Sequence, residues 1–187
     1  VCLLTHAQSA PTHNKQKDAE LLGKALEYFA SQKYHECLLI LQGLDKQYRL
    51  NPRYKAYLGV CYYYEWDYEN AVKHLTVAIP KLVNFAPHER SFYYWALAES
   101  NFNLRHYEKA VPCYQDMLKL CYEKERAEAY YRLGFCFLFD EDWADAWSNF
   151  YAAQNCFRKY RPGEEPARMA QIGNMLKALN GKVAGEA

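Results

Sequence analysis

The chain has 187 residues, 51% of them apolar and 17% aromatic, with 18 tyrosines. So many aromatic side chains exclude a disordered chain, and the length suits one domain or one short repeat array with a buried core. Lys and Arg number 23 against 22 Asp and Glu, a formal charge of +1, which supplies no field for general binding to nucleic acid or anionic membrane.

The first residues, Val1 to Pro11, hold a short apolar run followed by small residues, the pattern in which a secretory signal peptide ends. Thr5 and Ala7 fit the positions before a cleavage point, which makes Gln8 the new N-terminus; Ala7 and Ser9 give a second register. A cloned segment carrying a few apolar residues is the plainer alternative. Residues 1–17 are read as a signal-peptide remnant and a flexible arm. No run of 18 apolar residues exists that would make a transmembrane helix. The seven cysteines are an odd number, and Cys37, Cys61, Cys113, Cys136 and Cys156 fall within helical apolar patterns, where Cys acts as a small hydrophobe. Free buried thiols suit a reducing compartment, against the signal-like start. The local N-terminal pattern takes precedence, so the expected location is the periplasm or envelope, with the cytoplasm as the alternative.

From Asp18 to Tyr160 the chain repeats. Lys24-Ala25, Leu58-Gly59, Leu97-Ala98 and Leu133-Gly134 align, each an entry to the same pattern. Nine residues after the small residue comes an aromatic: Tyr34, Tyr68, Tyr107 or Trp143. Then follow a small residue (Cys37, Ala71, Ala110, Ala146), a large apolar one (Leu41, Leu75, Tyr114, Phe150) and Leu44, Ala78, Met117 or Ala153. The small residues lie 34, 39 and 36 apart, with the excess between repeats, at Lys81 to Arg90 and near Leu120 to Arg126, where loops absorb insertions cheaply. Apolar residues recur at three- and four-residue steps, so each unit reads as two amphipathic helices. Polar breaks at Ser31 to Lys33, Glu65 to Asp67, Asn103 to Arg105 and Asp140 to Asp142 separate the paired helices. Asn51-Pro52, Ala86-Pro87 and Arg161 to Gly163 separate the units. The small residues let helix A approach helix B, and the aromatics fill the wedge where the two diverge. Pro80 should end its helix early, and Pro112 should kink the helix it enters.

This pattern resembles the tetratricopeptide repeat, a 34-residue helical hairpin. The resemblance covers four units, about 18–51, 52–87, 88–123 and 124–160. Lys24 and Cys37 stand where the family favours Leu and Ala, and the family's Pro at the end of helix B is absent in register. It implies an all-α, right-handed α-α superhelix of four hairpins plus a closing helix. Glu164 to Asn180, with Met169, Ile172 and Leu176 repeating the helix A pattern, fits that closing helix, and Gly181 to Ala187 should fray. The tyrosine richness and the Thr-His-Ala-Gln junction are similar to exported repeat proteins of the Bacteroidetes.

Chemistry is sparse along the chain. It contains no phosphate-binding Gly-rich loop, no His-Glu-x-x-His and no Gly-x-Ser-x-Gly. None of the six histidines pairs at a metal-ligand spacing of three or four, and His35, His74 and His106 read as helix-surface residues. Asp140 to Asp142 could mimic a metal loop but fits better as the charged cap of the next helix. Neither an enzyme nor a cofactor is expected.

The family resemblance implies that helix A of each unit lines a concave groove. By register these positions hold Tyr63, then Phe92, Trp95 and Phe102, then Tyr131, Phe135 and Leu138, with Glu99, Asn103 and Arg132 as neighbouring polar groups. Aromatics give large contact area for little rotamer entropy, and Arg132 among them could anchor a ligand carboxylate or stack on a ring. Phe135 fits the core equally well. One subtype of the family grips chaperone carboxylates with Lys, Asn and Arg; Leu22, Leu26, Tyr57, Phe92 and Ala96 stand at those positions, so that clamp is absent. An aromatic groove instead suits an extended peptide or an amphipathic helix of a protein partner, or the chain's own Gln8 to Asn14. The expected function is a non-enzymatic protein-interaction module; the alternative is a protomer that self-associates into a homodimer.

Overall fold

The computed structural model describes residues 15–186. Gln8 to Asn14 and the signal-like junction at Ala7 lie outside the described residues. Among the described residues all regular structure is helical: nine α-helices and two short 3-10 turns. The chain divides into two units, Val1–Leu50 and Asn51–Ala187.

In the first unit α1 (Lys15–Ala30) and α2 (Tyr34–Gln47) pair as a hairpin. Helix begins at Lys15, inside the segment read as an arm, because Lys15-Gln16-Lys17 are good helix formers. Ala25, Cys37 and Leu41 are fully buried between the two helices. Phe29 meets Tyr34 edge-on at 5.6 Å beside the turn. At the open end the Tyr48 hydroxyl donates to Asp18 at 2.6 Å.

The second unit holds three hairpins in sequence: α3 (Pro52–Tyr64) with α4 (Tyr68–Ala78), α5 (Pro87–Asn103) with α6 (Tyr107–Leu120), and α7 (Arg126–Phe139) with α8 (Trp143–Tyr160). Each packs on the next through α4 against α5 and α6 against α7, and α9 (Pro166–Glu186) closes the series against α8. Local chemistry sets the helix starts. Pro52, Pro87 and Pro166 open their helices, where the missing N–H has no partner to lose. Asn51, Asp67 and Asp142 accept N-cap hydrogen bonds from the amides of Tyr54, Asn70 and Asp145. Asp142 thus caps a helix, as the acidic run suggests. Pro80 sits in the 3-10 turn Ile79–Lys81 that ends α4. Helix α6 runs unbroken through Pro112, whose ring faces solvent while Ala110, Tyr114 and Met117 stay packed. Helix α9 also continues past Gly181, where the sequence predicts a frayed tail. Leu179 is buried two residues earlier, and the Lys182 ammonium lies 5.2 Å from the centre of the Trp143 ring.

Close approach between paired helices rests on the small residues. A Cβ at Gly59 would lie 2.6 Å from Cγ of Leu75, and one at Gly134 would lie 2.7 Å from the Phe150 ring. Both contacts are shorter than real methyl groups tolerate, so the bulk of Leu75 and Phe150 fills the space that a larger residue would need.

The turns repeat as strictly as the core. Gln32, Trp66, Arg105 and Glu141 all adopt left-handed backbone, φ 59°, 62°, 60° and 60°, each seven residues after its small residue. In each turn that residue's amide bonds back three residues, as Trp66 to Tyr63, and the next amide bonds back five, as Asp67 to Tyr62. This is the Schellman closure, which favours Gly; here no Gly is used. A side chain in this conformation costs about 1 kcal/mol. Arg105→Gly and Glu141→Gly are each expected to raise unfolding free energy by about 0.5–1 kcal/mol, read as a higher urea midpoint with unchanged slope.

Candidate functional site

The residues that the repeat register assigns to one groove occupy three places in the second unit. Of these, Phe92 and Trp95 line the groove itself. It runs along the open face of α5 with a volume of about 510 Å³. The remaining lining comes from Tyr64 at the end of α3, His88, Glu89 and Ser91 of α5, Met117 of α6, Glu125 and Glu128 beside the start of α7, and Arg161. Phe92 and Trp95 are half-buried, and Trp95 is anchored edge-on to Tyr114 at 5.8 Å.

Glu99, Arg132, Phe102, Asn103 and Tyr63 instead belong to an internal network. Glu99 is 3% exposed, so it is no groove-rim polar group. Its carboxylate accepts Arg132 Nε at 2.8 Å and Nη2 at 3.0 Å, and also the Tyr114 hydroxyl. The carboxylate that Arg132 anchors is therefore the chain's own, and the ring it stacks on is Phe102, 4.9 Å away. One side chain from each of α5, α6 and α7 meets here, which locks two hairpins together. Asn103 folds back to donate to the Glu99 backbone carbonyl at 2.7 Å. Burial, then the nearby Glu99 charge, pushes the hydroxyls of Tyr63 and Tyr114 well up, so both stay protonated donors.

Tyr131 lies in a third place. Its hydroxyl donates to Gln171 at 2.7 Å and its ring lies 5.0 Å from the Arg168 guanidinium. It lines a shallow cleft beside the start of α9 rather than the groove. Helix α9 sits where a following repeat would place its helix A, and so it takes up Tyr131. Phe135 packs edge-on against Phe150 at 5.1 Å, the core alternative read from the sequence.

Sequence reasoning missed the charged end of the groove. The signal was present: opposite charges one repeat apart. Arg53 grips Glu89 at 2.8 and 3.1 Å, and the Glu89 carboxylate also accepts the Tyr93 hydroxyl at 2.6 Å. Glu128 accepts Arg161 at 3.2 Å and Arg168 at 2.6 and 2.7 Å. Glu125 accepts His88 at 3.0 and 3.1 Å, and His88 stacks on Tyr122. Glu125 belongs to the stretch that lengthens the repeat, which a strict 34-residue register passes over, and Glu128 stands in the first turn of α7 at the position of Phe92.

Burial pushes the Cys136 thiol up to about 12 and the Cys113 thiol up to about 11, which holds both protonated at neutral pH and weak as nucleophiles. Among the described residues no group of three His, Cys, Asp or Glu side chains is placed to hold a metal ion. No described helix is long and apolar enough to cross a membrane.

No family model matches the chain, and no curated protein does. Solved structures do match. MamA (AMB-1) superposes with a TM-score of 0.72 at 12% identity, over 91% of this chain and 85% of that one. The apo form of RapI gives 0.65 at 12% identity, over 90% of this chain and 65% of RapI. MamA from Desulfovibrio magneticus RS-1 gives 0.62 at 16% identity, over 88% and 94% of the two chains. At such identities the likeness is one of fold. MamA and RapI are tetratricopeptide-repeat proteins, and this chain has their all-α fold of sequential helical hairpins.

Arg132→Met is expected to lower unfolding free energy by about 2–3 kcal/mol, because it leaves the Glu99 carboxylate buried without its cation. Replacing both residues with Met should recover most of that loss, measured by chemical denaturation.

Proposed function

We propose that this protein is a non-enzymatic interaction module that holds a peptide or helix of a protein partner in the groove along α5. The observation that supports this reading is the open aromatic pair Phe92 and Trp95. Tyr114, 0% exposed, already fills the core of their own hairpin and Tyr93, 1% exposed, packs against Tyr57 of α3, while Phe92 and Trp95 present ring surface to the groove. Half-buried, backed aromatics offer apolar area without having to be ordered on binding. The fold and its likeness to tetratricopeptide-repeat proteins support the same reading. The binding face is narrower than the register suggests: Tyr131 and the Glu99–Arg132 pair contribute to its frame rather than to its contact surface.

The test is selection of a random-peptide display library on the full chain, followed by affinity measurement on three proteins. Peptides should bind the parent and a Tyr151→Ala control on α8, and lose at least about tenfold in affinity with Phe92→Ala/Trp95→Ala. Circular dichroism checks that the double variant is folded. Binding that survives in the folded double variant rejects the groove.

A second reading, self-association, is supported by Trp66, 78% exposed in the turn between α3 and α4, and by Phe139, 52% exposed at the end of α7. Sedimentation velocity over a concentration series decides it. Self-association requires a parent that gains mass with concentration and a Trp66→Ser variant that does not.

A further inference from the structure

The groove changes character along α5. Its aromatic end is formed by Phe92, Trp95 and Tyr64. Its charged end, one to two helical turns away at about 5.4 Å per turn, holds His88, Glu89, Glu125, Glu128 and Arg161. Three carboxylates converge there, and they are not equally matched. Glu89 is gripped by Arg53, and Glu128 by Arg161 and Arg168, cations that are charged at every working pH. Glu125 is held by His88 Nε2 and by the Tyr122 amide at 3.0 Å, and a histidine partner carries charge only when protonated. The Glu125 side chain also keeps 33% of its surface open.

We infer that the partner segment is basic and apolar: a Lys or Arg whose charged head meets Glu125, beside a large apolar side chain seated on Phe92 and Trp95. This inference rests on the groove reading and adds the chemistry of its ligand. The stem of a long cationic side chain can lie along the Phe92 ring while its head reaches the carboxylate. The charged end lies about 5–11 Å from the aromatic end, which a helix spans with residues three to seven apart and an extended chain with about two or three. An acidic segment would bring its charge against Glu125, the one of the three carboxylates without an arginine partner, and be disfavoured. The groove thus has the opposite charge preference from a carboxylate clamp built of Lys and Arg.

The same display selection tests this. Enriched peptides should carry Lys or Arg within about two to seven residues of an aromatic or large aliphatic residue. A synthetic peptide of that class should lose about tenfold in affinity on Glu125→Gln, which keeps an acceptor for the Tyr122 amide, and more on Glu125→Lys. Selected peptides that are acidic or indifferent to charge, yet still depend on Phe92 and Trp95, overturn the basic ligand and leave the groove standing. Full affinity with Glu125→Lys does the same. A library that yields no peptide dependent on Phe92 and Trp95 overturns both.

Discussion

The fold depends on how closely helix A can approach helix B within a hairpin. Ala25, Ala98, Gly59 and Gly134 hold that contact, and at the two glycines even a methyl group would collide with Leu75 or Phe150. Once the axes are this near, the large residue on helix B fills the core from its own side. The aromatic at the start of helix B then occupies the space where the helices diverge. The left-handed turn seven residues after the small residue follows from the same geometry, because the chain must reverse within three residues. It does so in all four hairpins without glycine, at an energetic cost that the packed cores offset.

Successive hairpins of the second unit are tied by charge as well as by apolar packing. Arg53 with Glu89 and Arg132 with Glu99 join neighbouring hairpins, and Arg168 of α9 joins Glu128 of the last one. The Glu99 pair is the buried one, and its value is geometric more than energetic. A buried carboxylate must be satisfied, so α5, α6 and α7 can settle only where Arg132 and Tyr114 both reach it. The outer pairs are half-exposed and contribute less to stability, but they fix the rotamers of Glu89 and Glu128 along the groove.

The groove arises where large aromatics on helix A outnumber the spaces that the core can fill. In α5, Tyr93 is buried while Phe92 and Trp95 remain on the open face, next to the carboxylates Glu89, Glu125 and Glu128. In α7, Tyr131, at the position of Trp95, meets Gln171 of α9, and Phe135 packs on Phe150 of α8.

The sequence by itself determined the helices, their pairing and the small–large complementarity at Gly59 with Leu75 and Gly134 with Phe150, because these are set by contacts within one hairpin, at short sequence distance. The starts at Pro52 and Pro87 and the cap at Asp142 were legible for the same local reason. Only the tertiary structure decided the fate of the helix A side chains. Glu99, Arg132 and Tyr131 occupy repeat positions that read as a binding face, yet partners 33 to 40 residues away claim them. Glu125 enters the groove from a stretch that breaks the repeat period, and Glu128 from the first turn of α7. A periodic pattern gives the face on which a residue lies; whether that face meets solvent, a carboxylate or another helix is fixed by long-range packing, which no spacing within one hairpin encodes.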